Sequence, residues 1–144
     1  PNPNPNPTPN PNPNPNQDDF AVYAAAKEKR LLVRKPDNGS HFEGDCWPGR
    51  SAWVDYLQPA AREYWASRFA PAAYAGSSAA LYTWNDMNEP SVFDGPEITM
   101  PPTLLHHDAE GRAYEHRELH NMYGPLTLTC TLSLTLTCTA CSCR

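Results

Sequence analysis

The two ends of the chain most constrain what it can fold into, because neither can supply a hydrophobic core. Residues 1–16 alternate proline with asparagine apart from Thr8, and proline lacks the backbone N–H that helices and sheets need. Residues 125–144 alternate mostly leucine with threonine and then run into closely spaced cysteines. We therefore expect disordered low-complexity ends at 1–16 and 125–144, and a folded domain confined to 17–124.

Both ends can be encoded by one DNA repeat. The hexanucleotide CCTAAC reads as proline and asparagine in one frame, and as leucine and threonine in the next. We interpret the ends as translated repeat DNA on either side of a coding exon. The alternative is a proline-rich linker in front of the folded domain and a threonine-rich stalk behind it. The cysteines of 125–144 lack a second ligand pair at zinc spacing, which argues against a metal site there.

Charge and hydropathy exclude several classes of partner. The net charge is −5 and no basic stripe is present, so we expect neither a nucleic acid nor a charged membrane surface as partner. No stretch reaches the roughly 20 apolar residues that span a bilayer. The first residues also lack a charged region followed by an apolar core, so no signal peptide is expected in this chain.

The sequence of the folded domain predicts alternating helices and strands. Asp18–Arg30 has the pattern of an amphipathic helix with cations at its end, and Leu31–Val33 that of a short buried strand. A long loop should continue through Gly49. Pro59 should begin a second helix, because its fixed φ suits a first turn. The apolar run Ala79–Trp84 predicts the next strand, and this strand, helix, strand order is typical of an α/β fold.

The run WNDMNEPSVF at 84–93 follows this predicted strand and has the chemistry of a carbohydrate site. Such a site needs a flat apolar surface, amides for hydroxyls, and a carboxylate that faces a developing oxocarbenium ion. Asp86 and Glu89 could be the two carboxyl groups that a retaining glycosidase holds about 5 to 5.5 Å apart. Two groups on one loop rarely flank a scissile bond, however, and a tryptophan that follows a strand, as Trp84 does, is more often a core residue than a sugar platform.

The run at 84–93 resembles the nucleophile motif of glycoside hydrolase family 31, the α-glucosidases and their relatives. The similarity extends from about Tyr23 to Gly124, with EGDCWPG at 43–49 upstream and EHRELHNMYG at 115–124 downstream. It implies an α/β fold, namely a partial (β/α)8 TIM barrel around the nucleophile strand. A complete barrel takes roughly 250 residues, which exceeds the length of this chain.

The resemblance assigns roles to individual residues. It implies that Asp86 is the nucleophile, and that the acid/base aspartate comes from a later strand that this chain lacks. Glu89 then becomes a supporting residue that orients Asp86. Trp84 and Met87 are the implied apolar walls of the sugar subsite, and Trp47 covers it from a neighbouring loop. The family requires no metal and no cofactor, so we expect neither.

Within the family, the resemblance is strongest to the branch that trims glucose from N-linked oligosaccharides in the endoplasmic reticulum. It implies an α-glucoside or N-linked oligosaccharide as substrate, a lumenal location, and a regulatory β subunit as a candidate partner of the parent enzyme. Asn38 begins an Asn-Gly-Ser acceptor for N-glycosylation. Without the acid/base residue we expect this chain to be inactive alone. The alternative is a non-catalytic carbohydrate-binding or inert gene-model remnant.

Six further polar residues are candidates for chemistry. His106 and His107 are adjacent, and His116 and His120 have the four-residue spacing that places two imidazoles on one helical face. No His-Glu-x-x-His run accompanies them, so we expect solvated histidines and not a metal site. Asp55 is expected to be a turn or helix-entry cap, as is Asp45.

Overall fold

The computed structural model describes residues 20–37, 39–74, 90–95 and 97–123, together with residues 78, 80, 82 and 126. Most of the predicted strand at 79–84 lies outside these residues. The same holds for residues 1–16, for nearly all of 125–144, and for both expected domain boundaries. Residues 84–89 of the predicted motif and the predicted glycosylation residue Asn38 also lie outside them.

Short helices and antiparallel hairpins make up the described part of the chain. In chain order they are α1 (Ala21–Glu28), β1 (Glu43–Cys46), β2 (Gly49–Ala52), α2 (Pro59–Ser67), β3 (Leu105–His107), β4 (Ala113–Glu115) and a helical segment at 116–123. The strands form two antiparallel pairs, β1 with β2 and β3 with β4. The described residues contain no closed barrel, so the barrel expectation is met only in part.

The first helix is confirmed, and its end has a defined geometry. Tyr23 and Ala26 are buried at 6% and 2% exposure. Arg30 has a positive φ of 59°, its N–H donates to Lys27 O, and the Leu31 N–H donates back to Ala26 O at 2.9 Å. This pattern is a Schellman motif, with arginine in the left-handed position that glycine usually takes. The motif turns the chain directly into the buried segment 31–33.

The segment Leu31–Val33 is buried as expected, at 4%, 3% and 0% exposure from first to last. Its backbone pairs on both sides, because the Val33 N–H donates to Trp53 O at 2.9 Å and Val33 O accepts the Phe42 N–H at 2.8 Å. These contacts form isolated bridges instead of one continuous strand. The segment therefore lies between the two flanks of the β1–β2 hairpin.

The loop predicted through Gly49 is wrong, since that stretch contains the β1–β2 hairpin. Cys46 pairs with Gly49 across a turn made by Trp47 and Pro48, and Gly49 has φ 99°, a conformation that glycine adopts without steric cost. Strand β1 is mostly polar and holds a glycine, so it lacks the apolar alternation that predicts strands. The turn geometry, and not β-propensity, defines this hairpin.

The second helix begins at Pro59 as predicted, with proline in its first turn. Ala61 is fully buried and Tyr64 is 8% exposed. The Tyr64 hydroxyl donates to Val22 O at 2.7 Å and so ties α2 to α1. These side chains form one of two hydrophobic clusters, together with Tyr23, Ala26, Leu31 and Leu32.

The sequence pattern places a loop between the predicted strand at 79–84 and the C-terminal end, and this is wrong: the β3–β4 hairpin and the helical segment 116–123 lie there. The second hydrophobic cluster joins this part to the rest through Val33, Tyr56, Val92, Met100, Leu104 and Tyr123. The Met100 N–H donates to Pro90 O at 3.0 Å. The segment 90–100, which begins with the last residues of the motif at 84–93, is thereby packed into the core.

No helix within the described residues is long and apolar enough to cross a membrane.

Candidate active site

The predicted nucleophile Asp86 and its neighbours Trp84, Met87 and Glu89 lie outside the described residues. The structure continues at Pro90, which is buried. The described surroundings of the site are therefore the segment 90–95 and the hairpin that contacts it.

Trp47 belongs to the hairpin turn and lies beside the C-terminal end of the motif at 84–93. Its ring meets the Phe93 ring edge to face, with centroids 4.8 Å apart and planes at 90°. Both side chains stay accessible, at 64% exposure for Trp47 and 42% for Phe93. The exposed ring faces of this aromatic pair offer an apolar surface that a sugar ring can contact. Phe93 was not identified from the sequence, where its place at the end of the motif was the only signal.

Backbone contacts attach the hairpin to this segment. The Phe93 N–H donates to Asp45 O at 2.7 Å, and the Asp45 N–H donates to Asp94 Oδ1 at 3.0 Å. Gly44 permits the close approach, because a Cβ atom there would lie 2.8 Å from Val92 Cγ1. Asp45 therefore lies within a strand and links two segments, so the expectation that it is a cap is wrong.

Charged side chains also form ion pairs between the β1–β2 hairpin and the segment 90–95. Arg50 Nη1 lies 3.5 Å from Asp45 Oδ1 and 3.4 Å from Asp94 Oδ2. These side chains are 42% to 57% exposed, so solvent screens the ion pairs and each contributes little to stability. The backbone hydrogen bonds and the glycine contact are thus the main attachment.

A second polar group joins the start of the hairpin to α1. The Tyr23 hydroxyl donates to Glu43 Oε1 at 2.6 Å, and His41 Nε2 lies 2.9 Å from the same oxygen. Burial opposes ionisation of Glu43, but the hydrogen bonds from Tyr23 and His41 and the charge of Arg50 together lower its pKa. Glu43 is therefore an ionised anchor at the base of the hairpin.

Asp55, His106 and His116 form a buried network, so the expectation of solvated histidines is wrong for His106 and His116. Asp55 Oδ1 accepts the Leu57 N–H at 3.3 Å, as expected of a turn residue. Asp55 is 0% exposed, and both His106 and His116 are 1% exposed. Asp55 precedes α2, but that helix has no side-chain cap hydrogen bond. His106 Nδ1 lies 2.9 Å from Asp55 Oδ1. In the described ranges, no group of three or more His, Cys, Asp or Glu side chains is arranged to hold a metal ion.

Comparison with protein families gives one match that covers most of the chain. Residues 7–138 match the model described as the Glycosyl hydrolases family 31 TIM-barrel domain. Neutral alpha-glucosidase C of Mus musculus is 51% identical over 106 residues, which are 74% of this chain and 11% of that protein. The chain thus spans about a tenth of the length of the curated relatives it matches.

Solved structures give the same result for the fold. A glucosidase II alpha subunit in its Glc1Man2-bound form superposes with a TM-score of 0.76 at 44% identity, over 84% of this chain and 13% of that one. The catalytic subunit in a heterodimeric ER glucosidase II complex superposes with a TM-score of 0.73 at 46% identity, over 81% of this chain and 12% of that one. The resemblance found in the motifs is therefore confirmed, and the chain belongs to glycoside hydrolase family 31 as a partial region of its TIM-barrel domain.

Proposed function

We propose that the chain carries the nucleophile segment of a retaining α-glucosidase, in which Asp86 attacks the anomeric carbon and forms a glycosyl ester. The family membership and the motif at 84–93 support this assignment. The observation that carries it is the exposed Trp47–Phe93 pair at the C-terminal end of that motif. A retaining site needs a sugar-binding surface beside its nucleophile, and this pair supplies one next to the motif.

The neighbouring residues take supporting roles in this proposal. Glu89 accepts hydrogen bonds that hold the loop and orient Asp86. Trp84 and Met87 form apolar walls of the subsite, and Trp47 covers it from the β1–β2 hairpin. The acid/base carboxyl group comes from another part of the complete enzyme.

For that complete enzyme we propose an α-linked glucose on an N-linked oligosaccharide as substrate, and the lumen of the endoplasmic reticulum as location. Support comes from the similarity to glucosidase II, whose alpha subunit was solved with Glc1Man2 bound. The heterodimeric relative pairs a catalytic subunit with the binding domain of a regulatory subunit. We propose a corresponding regulatory β subunit as partner, and Asn38 as a candidate glycosylation site. The chain ends are proposed to be translated repeat flanking the domain.

Substitutions in a full-length enzyme that contains this segment test the catalytic assignment. Asp86→Ala removes both attack and charge stabilisation, so kcat should fall by several orders of magnitude. A small anion such as azide can fill the vacated space and should restore part of the activity with an activated aryl α-glucoside. Glu89→Gln keeps the size and much of the hydrogen bonding, so it should slow the enzyme without permitting azide rescue.

A mechanism-based inhibitor that traps the glycosyl ester gives the direct readout by peptide mapping. Labelling of Asp86 supports the proposal, whereas labelling of Glu89 with Asp86 free would overturn it. Saccharide binding without any label or turnover in the full-length enzyme would favour the alternative, a non-catalytic carbohydrate-binding protein.

A further inference from the structure

Four side chains from three parts of the fold form a continuous row of hydrogen bonds that ends at the surface. His106 Nδ1 lies 2.9 Å from Asp55 Oδ1. On its other side, His106 Nε2 lies 3.0 Å from His116 Nδ1, and His116 Nε2 lies 3.0 Å from His120 Nδ1. His120 is exposed, whereas the other three are at most 1% exposed. The row, here termed the histidine chain, connects solvent to a buried carboxylate.

The donors around Asp55 fix the direction of these hydrogen bonds. The His107 main-chain N–H and the Gln58 side-chain amide donate to Oδ2, each at 2.8 Å. The Leu57 N–H donates to Oδ1 at 3.3 Å. These groups can only donate, so both side-chain oxygens of Asp55 are acceptors and His106 Nδ1 donates to Oδ1.

The direction of this first hydrogen bond fixes the direction of the hydrogen bonds between the imidazoles. A neutral imidazole carries one N–H, and the hydrogen bond of one ring nitrogen decides the role of the other. With its proton on Nδ1, His106 presents Nε2 as an acceptor, so His116 must donate from Nδ1. By the same rule His120 donates from Nδ1 to His116 Nε2. All three rings are therefore Nδ1–H tautomers, and every N–H of the row points toward Asp55.

We propose that the histidine chain is a proton relay that carries a proton from solvent to His106. A proton binds to Nε2 of His120, and the Nδ1 proton of His120 moves to Nε2 of His116. The Nδ1 proton of His116 then moves to Nε2 of His106. One proton enters and none leaves, so one positive charge rests on His106 beside Asp55. This inference does not depend on the proposed glucosidase function.

Charge and burial explain why the proton would rest on His106. His116 is buried between two imidazoles, and burial, followed by the charges of His106 and His120, lowers its pKa to about 4. His106 instead gains a charge-assisted hydrogen bond to Asp55. His107 is a competing site for the proton, because its Nδ1 lies 3.7 Å from Asp55 Oδ2. Burial and the nearby charge of Arg34 lower its pKa, so it competes poorly.

The remaining titratable groups near the histidine chain do not supply a better site. The Tyr123 ring packs against His106 and His116 with centroids 5.8 and 6.0 Å away, and it also packs against Tyr56. Burial raises the pKa of Tyr123 well above its usual value, so it stays neutral. Next to His116 in sequence, Arg117 pairs with Glu115 at the surface.

Imidazole NMR of the whole ¹⁵N-labelled chain tests the relay, and only five histidines need assignment. At pH 8, His106, His116 and His120 should each show a protonated Nδ1 and an unprotonated Nε2. As the pH falls while the fold persists, His116 and His120 should both reverse to Nε2–H, and both nitrogens of His106 should become protonated. Protonation of His120 or His107 alone, or unfolding before any reversal, would overturn the proposal.

A variant at the exposed end of the histidine chain tests proton transfer without changing the buried core. In His120→Gln the side-chain amide can still donate to His116 but cannot pass a proton on. The folded variant should therefore take up about one proton fewer than the wild type, and His116 should keep its proton on Nδ1. His41→Gln is the matched control, since His41 contacts Glu43 and lies outside the histidine chain, and it should leave the reversal intact. Reversal of His116 in His120→Gln would rule out the relay.

Discussion

Burial governs the ionisation of His116 more than its partners do. Its folded pKa is about 4, below the ordinary value of 6.5, with burial as the largest cause. The unfolded chain therefore binds a proton at a higher pH than the folded chain does. The stability that comes from neutral His116 is complete above about pH 6.5 and is lost as the pH falls toward 4.

We expect the free energy of unfolding to fall by about 2 kcal/mol between pH 7 and pH 5 through this residue alone. His116→Asn should remove that part of the pH dependence, because its side chain does not titrate. Urea unfolding at both pH values measures the difference, with His41→Asn as a control that should retain the loss. An equal loss in His116→Asn would show that other groups cause the acid sensitivity.

The burial of the histidine chain could not be predicted from the sequence, because its members are far apart along the chain. Asp55 and His106 are 51 positions apart, and His106 and His116 are 10 apart. Local patterns describe neighbours within a turn or a helix, so Asp55 was expected to be a cap and the histidines to be solvated. Trp47, by contrast, was expected near the motif because the family resemblance placed its loop there.

At the scale of elements, local sequence predicted helices better than hairpins. The stripe of Tyr23 and Ala26 and the proline at residue 59 are local signals, and both helices are present. Each described strand has only three or four residues. Strands this short show too little alternation to be recognised, and their pairing depends on turns and on distant contacts.

The contact between the β1–β2 hairpin and the segment 92–94 yields a prediction at this scale. Gly44→Ala would place a methyl group 2.8 Å from Val92 Cγ1. Val92 is 1% exposed, and a β-branched side chain has few alternative rotamers. Relief of such overpacking costs about 1 to 3 kcal/mol. We expect the Phe93 amide, which donates to Asp45 O, to exchange with solvent roughly 10- to 100-fold faster.

Hydrogen exchange read residue by residue contains its own control. The Leu105 amide donates to Arg34 O at 2.8 Å, away from this junction, so its exchange should change little. Ser51→Ala is the matched variant, because Ser51 pairs directly with Gly44 in the hairpin and the substitution adds no atoms there. If Gly44→Ala leaves Phe93 as protected as Ser51→Ala does, the hairpin does not hold the segment in this way.

At the scale of the whole molecule, the described core does not form a complete barrel. Its two hydrophobic clusters share Val54 as a packing partner, so the β1–β2 hairpin, the two helices and the segment 90–100 form one packed unit. The family was recognisable from sequence because its motifs are local. The described arrangement of antiparallel hairpins was not, since it depends on contacts between distant segments.

The last prediction concerns catalysis by the 144-residue chain itself. We expect no useful turnover of an aryl α-glucoside, because no residue between Asp94 and Gly124 matches the acid/base motif of the family. Loss of general acid catalysis alone lowers the rate by roughly 100- to 10,000-fold, and an incomplete sugar subsite lowers it further. The purified chain and a full-length family enzyme are assayed side by side, with Asp86→Ala of the chain as the blank. Turnover close to that of the full-length enzyme, abolished in Asp86→Ala, would contradict this expectation and would make Glu89 the acid/base residue.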